Sequence, residues 1–170
     1  MNLLILDTET TGLGAGTEVV ELSMIDMTGQ VVMDTLVKPS YTTSWDGAER
    51  IHGISPAHVA DAPSIEDLMP ELNKYLCQAE GLIIYNRQYD LGILREAYQK
   101  AGCLMPRVNT YCAMLTYGKA VKASKWQSLV KAAAHVGHVW TGEAHRALSD
   151  CYATLDVWNW SVAQLKGRID

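Results

Sequence analysis

Short apolar runs alternate with amphipathic stretches along this chain. Leu3 to Leu6 is a continuous apolar run of strand length that stops at Asp7 and leads into a Thr- and Gly-rich loop from Thr10 to Gly16. Such a run predicts a buried strand feeding a turn. Glu18 to Ile25 alternates, with Val20, Leu22 and Met24 on one side, and Val31 to Val37 is again extended. Thr28-Gly29 between them is a hairpin signal, so three strands are expected to open the fold as a meander. Lys38 to Pro63 carries scattered Pro, Gly, Ser and Thr and reads as irregular. Ser64 is placed to cap a helix running to about Cys77, with Glu66 and Asp67 in its first turn and a kink expected at Pro70.

Gly81 to Tyr85 is a second buried run, hence a central strand. Asp90 then starts a helix whose Leu91, Leu94, Ala97, Tyr98 and Ala101 recur at helical spacing until Gly102. Arg107 to Asn109 reads as a brief last strand, followed by helical stretches near Tyr111 to Tyr117 and Trp126 to His135. The final helix, Ala147 to about Leu165, carries Leu148, Cys151, Tyr152, Leu155, Trp158 and Val162 as one apolar stripe. Strands first, then alternating elements, predict an α/β fold with a mixed sheet and helices on its faces.

The length of 170 residues fits one domain, 1–170, and is too short for two comfortable cores. With 48% hydrophobic and 19% charged residues the chain is neither disordered nor a disulfide miniprotein. No run approaches the roughly 18 residues of a membrane span, and no basic flank precedes the first one, so neither a span nor an export signal is expected. Cys77, Cys103, Cys112 and Cys151 are isolated and read as buried thiols of a reducing compartment, the cytoplasm. There is no Phe, so Tyr, Trp and Met must fill core volume, and Trp45, Trp126 and Trp140 read as buried indoles before stacking platforms.

A net charge of −5 argues at first against a partner made of phosphates. The distribution weakens that objection, because Arg87 to Lys131 carries eight basic and two acidic residues, net +6, against −11 for the rest. Such asymmetry is either an uneven solvated surface or a basic flank beside an acidic, cation-loaded site.

Asp7 and Glu9 are two residues apart at the end of a buried strand, and the period of two puts both on one face. Like charges held together there need a counter-cation or a raised pKa, although two solvated loop acids would look the same in sequence. An oxygen-only set favours Mg²⁺ or Mn²⁺. Asp90 follows the second buried strand at a helix start, where an ordinary cap is the simpler explanation. Asp150 shares a helix face with Ala147, Thr154, Val157 and Ser161, small side chains that permit close approach to a sheet. His145 lies five residues before Asp150, so a continuous helix would turn it roughly 140° away. It is therefore expected on a mobile loop, with Gly142, where a base can approach and retreat. His58, His135 and His138 read as surface or packing residues.

Asp7-Thr8-Glu9-Thr10-Thr11-Gly12-Leu13, then Asn86-x-x-Tyr89-Asp90, then His145-Arg146-Ala147-Leu148-Ser149-Asp150, resembles the three motifs of the DnaQ-like, DEDDh-type 3'-5' exonucleases in order and spacing. Ile51-His52-Gly53-Ile54 is similar to a further element of that family. The resemblance implies a ribonuclease H-like fold with a five-stranded sheet. Its form is closer to DNA proofreading subunits and small DNA exonucleases resembling exonuclease X than to oligoribonucleases. Tyr85 stands where many members have His, Tyr89 replaces the common Phe, and Asn109-Thr110 stands where Asp-Thr is frequent. Arg87 and Gln88 stand where small residues are common, beside the expected terminal nucleotide.

By that resemblance, Asp7, Glu9 and Asp150 would hold one Mg²⁺ and Asp7 would bridge to a second about 4 Å away, with Asp90 helping directly or through water. His145 would be the general base. Thr10, Leu13, Ile51, His52, Asn86 and Tyr89 would cradle the terminal nucleotide, with Arg87 beside it. The implied partner is nucleic acid with a free 3' end, DNA before RNA and single strands before double, releasing 5'-mononucleotides. An exoribonuclease or oligonucleotide hydrolase is the alternative enzyme, and an inactive binding module is disfavoured by the complete acidic set. The sequence, stopping at Asp170, shows no tail of the kind that tethers proofreading subunits, and association with a polymerase stays open.

Overall fold

The alternation at the start of the chain builds three strands, β1 (Leu3–Thr10), β2 (Val19–Asp26) and β3 (Val31–Leu36), paired antiparallel. They are seen in a computed structural model that describes residues 2–142 and 144–167; Asp170, where the sequence stops, lies outside them. The β2–β3 hairpin closes on Asp26, whose Oδ1 accepts from the Thr28 and Gln30 amides at 2.8 and 3.0 Å. Gly29 takes the positive φ of 85° that this turn requires. β4 (Gly81–Ile84) and β5 (Thr110–Cys112) then add in parallel, giving a five-stranded mixed sheet of order β3-β2-β1-β4-β5. This is the sheet expected from sequence. β5 begins three residues later than expected, after the Arg107–Asn109 stretch.

Helices cover both faces. α2 (Ile65–Gln78) and α3 (Arg87–Lys100) bury Met69, Leu72, Leu76, Leu94 and Tyr98 against Leu4, Leu6, Leu22 and Met24. Ser64 caps α2 in a reciprocal pairing with Asp67. α2 runs on through Pro70, so the expected kink does not end it. α3 begins at Arg87, three residues before the start expected at Asp90.

The other face is covered by α4 (Ala113–Val121), α5 (Leu129–Val136) and α6 (Ala147–Lys166), packed on Ile5, Ile25, Ile83 and Tyr85. In α6 the small-residue face, Ala147, Thr154, Val157 and Ser161, is the most deeply buried, whereas Leu148, Tyr152, Leu155 and Trp158 of the expected stripe are only half-buried. Small side chains let this helix lie close to the sheet, and that closeness carries Asp150 to the strands.

A third cluster, Val20, Trp45, Ile54 and Val59, anchors α1 (Asp46–His52), a short helix inside the stretch read as irregular. Two other expectations are corrected. Cys77 and Cys103 are exposed and only Cys112 and Cys151 are buried, and Trp126 is 74% exposed while Trp45 is in the core. No described helix is long and apolar enough to cross a membrane.

Candidate active site

On β1 the side chains of Ile5, Asp7 and Glu9 share the face that α6 covers. The antiparallel register sets Ile25, Ser23 and Glu21 of β2 directly opposite them. Asp150, in the first turn of α6, is lowered onto this face. Asp90, in the first turn of α3, arrives at the C-terminal edge of β1, where Thr8 Oγ1 donates to its Oδ1 at 2.8 Å. The four carboxylates expected to work together are thus brought together, with a fifth, Glu21, that sequence reasoning missed.

Their electrostatics follow from this crowding. Burial, then the charges of Asp90, Asp150, Glu9 and Glu21, hold the Asp7 carboxyl well above its ordinary range. Burial and the Asp150, Glu21 and Asp90 charges push Glu9 to about 8. Burial raises Asp90 and Asp150 to about 6 each, against the hydrogen bonds that Thr8 and the His145 amide donate to them. An all-oxygen set whose ionised form is opposed by its neighbours is suited to a hard divalent cation. Oxygens of Glu9 and Asp150 and a ring nitrogen of His145 lie within 4.8 Å of one another, a group able to hold an ion.

Glu21 differs from the others because it already has a cation. It is buried, and Arg146 Nε donates to its two oxygens at 3.1 and 3.2 Å, joined by a close contact of the other guanidinium nitrogen. The Ala147 amide donates to Glu21 Oε2 at 2.8 Å, so a β2 side chain caps α6 in place of Arg146, whose own side chain does not. The sequence held a signal: if Val20, Leu22 and Met24 point one way along the strand, Glu21 and Ser23 point the other way, beside Asp7 and Glu9.

His145 sits on the loop just before α6, as expected from its spacing. Its φ of 64° is left-handed, a conformation that disfavours non-glycine residues. Its amide donates to Asp150 Oδ1 at 3.2 Å and its side chain is exposed. Gly142 permits close packing, since a Cβ there would stand 2.6 Å from Ser149 Oγ. Beneath the cluster, Cys151 Sγ donates to the Ser23 carbonyl at 3.5 Å, and burial pushes the thiol far up, so it is no nucleophile.

Beside the carboxylates runs a groove of about 630 Å³ lined by Thr10, Leu13, Trp45, Ile51, Tyr89 and His145, among others. Leu13 is 88% and Ile51 59% exposed, two apolar side chains left in solvent on its rim. Tyr89 donates to the Gly12 carbonyl and lies 2.8 Å from Thr10 Oγ1. His52 lines the groove but is not free for a ligand. The Ile54 amide donates to its Nδ1 at 3.0 Å, which leaves Nε2–H to donate to the Thr10 carbonyl at 3.1 Å. His52 therefore holds the Thr10 loop from behind. Asn86 is exposed at the α3 N-cap without a capping bond, and Arg87 is tied to the Thr110 carbonyl at 3.2 Å; neither lines the groove.

Residues 4–158 match the profile of the Exonuclease family, RNase_T. The chain is 36% identical over 166 residues to the uncharacterized exonuclease CP81 of Escherichia phage 186, covering 91% of this chain and 84% of that one. It is 31% identical over 173 residues to exodeoxyribonuclease 10 of Escherichia coli (strain K12), covering 96% and 73%. Among solved structures, exonuclease X in complex with 5' overhanging duplex DNA matches with a TM-score of 0.73 at 28% identity, over 95% of this chain and 91% of that one. The nuclease domain of 3'hExo, a DEDDh family member bound to rAMP, shares the fold with a TM-score of 0.74 at 15% identity, over 97% and 92%. With the acidic cluster and its histidine in place on this ribonuclease H-like sheet, the chain belongs to the exonuclease family and is a DnaQ-like 3'-5' exonuclease of the DEDDh type.

Proposed function

We infer that this exonuclease acts as one domain on DNA, preferably single-stranded, and removes 5'-mononucleotides one at a time from the 3' end. The observation that carries this is the meeting of Asp7, Glu9, Asp90 and Asp150 with His145 beside an open groove that has an apolar rim. The choice of DNA is supported by the relative named exodeoxyribonuclease 10 and by the likeness to exonuclease X bound to duplex DNA.

Asp7, Glu9, Asp90 and Asp150 would hold two Mg²⁺ ions, for which Mn²⁺ can substitute. Bound there, the ions would supply Lewis acidity at the scissile phosphate and neutralise charge on the departing 3' oxygen. The remaining work falls to the protein. His145, exposed beside Glu9 and Asp150, takes the proton of the attacking water. Its amide, held on Asp150 Oδ1, fixes where that imidazole stands. Leu13 and Ile51 pack against the terminal nucleotide, Leu13 as a wedge. Tyr89 and His52 keep the Thr10–Gly12 backbone in place under it.

Labelled single-stranded DNA and RNA of equal sequence, each with Mg²⁺ or chelator and resolved to single nucleotides, test this. A ladder shortening from the 3' end of DNA, only with Mg²⁺, is expected. Faster loss of RNA would reassign the substrate, and loss in chelator would overturn the assignment of the ions.

A further inference from the structure

The basic segment of this acidic chain is unexplained by the site itself. Residues 97–142 contain no Asp or Glu and six cations, Lys100, Arg107, Lys119, Lys122, Lys125 and Lys131. The last four lie on α4, on α5 and on the loop 122–128 between them, and all four are exposed. The loop is fixed at its far end. Tyr85 Oη donates to the Gln127 carbonyl at 2.9 Å, Gln127 Nε2 donates to the Lys125 carbonyl at 3.2 Å, and Ser128 caps α5. Between the two tethered carbonyls stands Trp126, 74% exposed, whose indole makes no hydrogen bond or ring contact among the described residues.

The tether also fixes where the loop stands. Ile83 pairs with Ile5 across the parallel β4–β1 ladder, so Tyr85, two residues on, shares the face and the level of Asp7. The loop held by Tyr85 therefore flanks the carboxylates on the β4 side. α1, which carries Ile51, is packed on Val20 of β2 and Leu36 of β3, on the other side of β1 from β4, and Ile51 lines the groove there together with Leu13. A strand whose last nucleotide lies on the Leu13 and Ile51 rim and whose next phosphate lies at the acidic cluster would, continuing in line, reach this loop. There a flat apolar ring and exposed cations replace the negative field it has just crossed.

We propose that the loop 122–127 is a platform for the nucleic-acid strand on the 5' side of the scissile phosphate, with Trp126 stacking on a base and Lys122 and Lys125 pairing with backbone phosphates. This rests on the exonuclease reading above and adds to it a second contact region, reached only by substrates several nucleotides long.

The test compares the wild type with Trp126→Ala and with the Lys122→Ala/Lys125→Ala double variant. Two substrates are used, a 5'-labelled DNA strand of about 20 nucleotides and a dinucleotide too short to reach the loop. Stacking strengths predict that Trp126→Ala lowers the ratio of kcat/KM for the long over the short substrate by about tenfold, through KM. The double variant should reduce the slope of log KM against log salt on the long strand by about 1.4, or about 0.7 for each lost phosphate contact. An unchanged ratio together with an unchanged salt slope overturns the platform. Should the wild type hydrolyse neither substrate, the exonuclease reading falls. Anisotropy of the labelled strand in Ca²⁺ then decides the platform separately: binding weakened in both variants upholds it, and equal binding refutes it.

Discussion

Chelating the divalent ions should make this protein less stable as pH rises. Glu9, held at about 8 against an ordinary 4.5, and Asp90 and Asp150, held at about 6 against 3.8, all keep protons in the ion-free folded state that the unfolded chain has already released. The folded state therefore binds more protons between about pH 4 and pH 8, and the stability this gives is lost as pH rises through 6 and then 8. For Glu9 alone, a displacement of about 3.5 pH units at about 1.4 kcal/mol per unit amounts to roughly 5 kcal/mol. A bound cation lets the cluster ionise without that cost, so it should protect far more at pH 8 than at pH 5. At about 2–4 °C per kcal/mol for a chain of this size, the metal-dependent gain in Tm should grow by on the order of 10 °C across that range. Burial lowers the His52 pKa below 6.5, which gives the opposite slope, but that term is common to both conditions and drops out of the difference. Thermal unfolding followed by circular dichroism at pH 5, 6, 7 and 8, in chelator and in excess Mn²⁺, measures the gain. A gain that stays flat or shrinks with pH would refute the electrostatic account of the cluster.

Four further outcomes are expected. Asp7→Ala and Asp150→Ala should abolish metal-dependent degradation while circular dichroism shows a folded protein, and undiminished activity in either would sink the assignment. His145→Ala should slow the reaction by about 10² to 10⁴ and flatten its pH–rate profile, as loss of a general base does. Glu21→Ala removes the carboxylate that Arg146 and the Ala147 amide share and leaves that amide uncapped, a loss of about 1–3 kcal/mol read as a lower urea midpoint at unchanged slope. In the native protein a thiol reagent should titrate Cys77 and Cys103 promptly and reach Cys112 and Cys151 only in denaturant; four fast thiols would contradict their burial.

Features written as local periodicity were legible in the sequence. The apolar run before Asp7, the alternation of β2 and the five-residue gap between His145 and Asp150 each led to the right element, face or loop. α1 was missed because seven residues that include Gly47, with no side-chain cap at Trp45, leave no helical signature, and its His52 end is buried by tertiary contacts. Glu21 was missed because its role depends on a partner 125 positions away. The exposure of Trp126 was misjudged because an indole in a loop is kept from the core only by the tethering of its neighbours. Composition likewise does not reveal that His52, expected at the substrate, spends both ring nitrogens on backbone hydrogen bonds.

The bond from β2 to the start of α6 has a temporal meaning for the cell. Asp7, Glu9 and Glu21 leave the ribosome first, and His145, Arg146 and Asp150 follow about 6–30 s later at ordinary translation rates of roughly 5–20 residues per second. Until the last helix docks on Glu21, neither the base nor the closing carboxylate is in place, and the nascent polypeptide is harmless to any polynucleotide nearby. Destructive chemistry waits on the docking of α6.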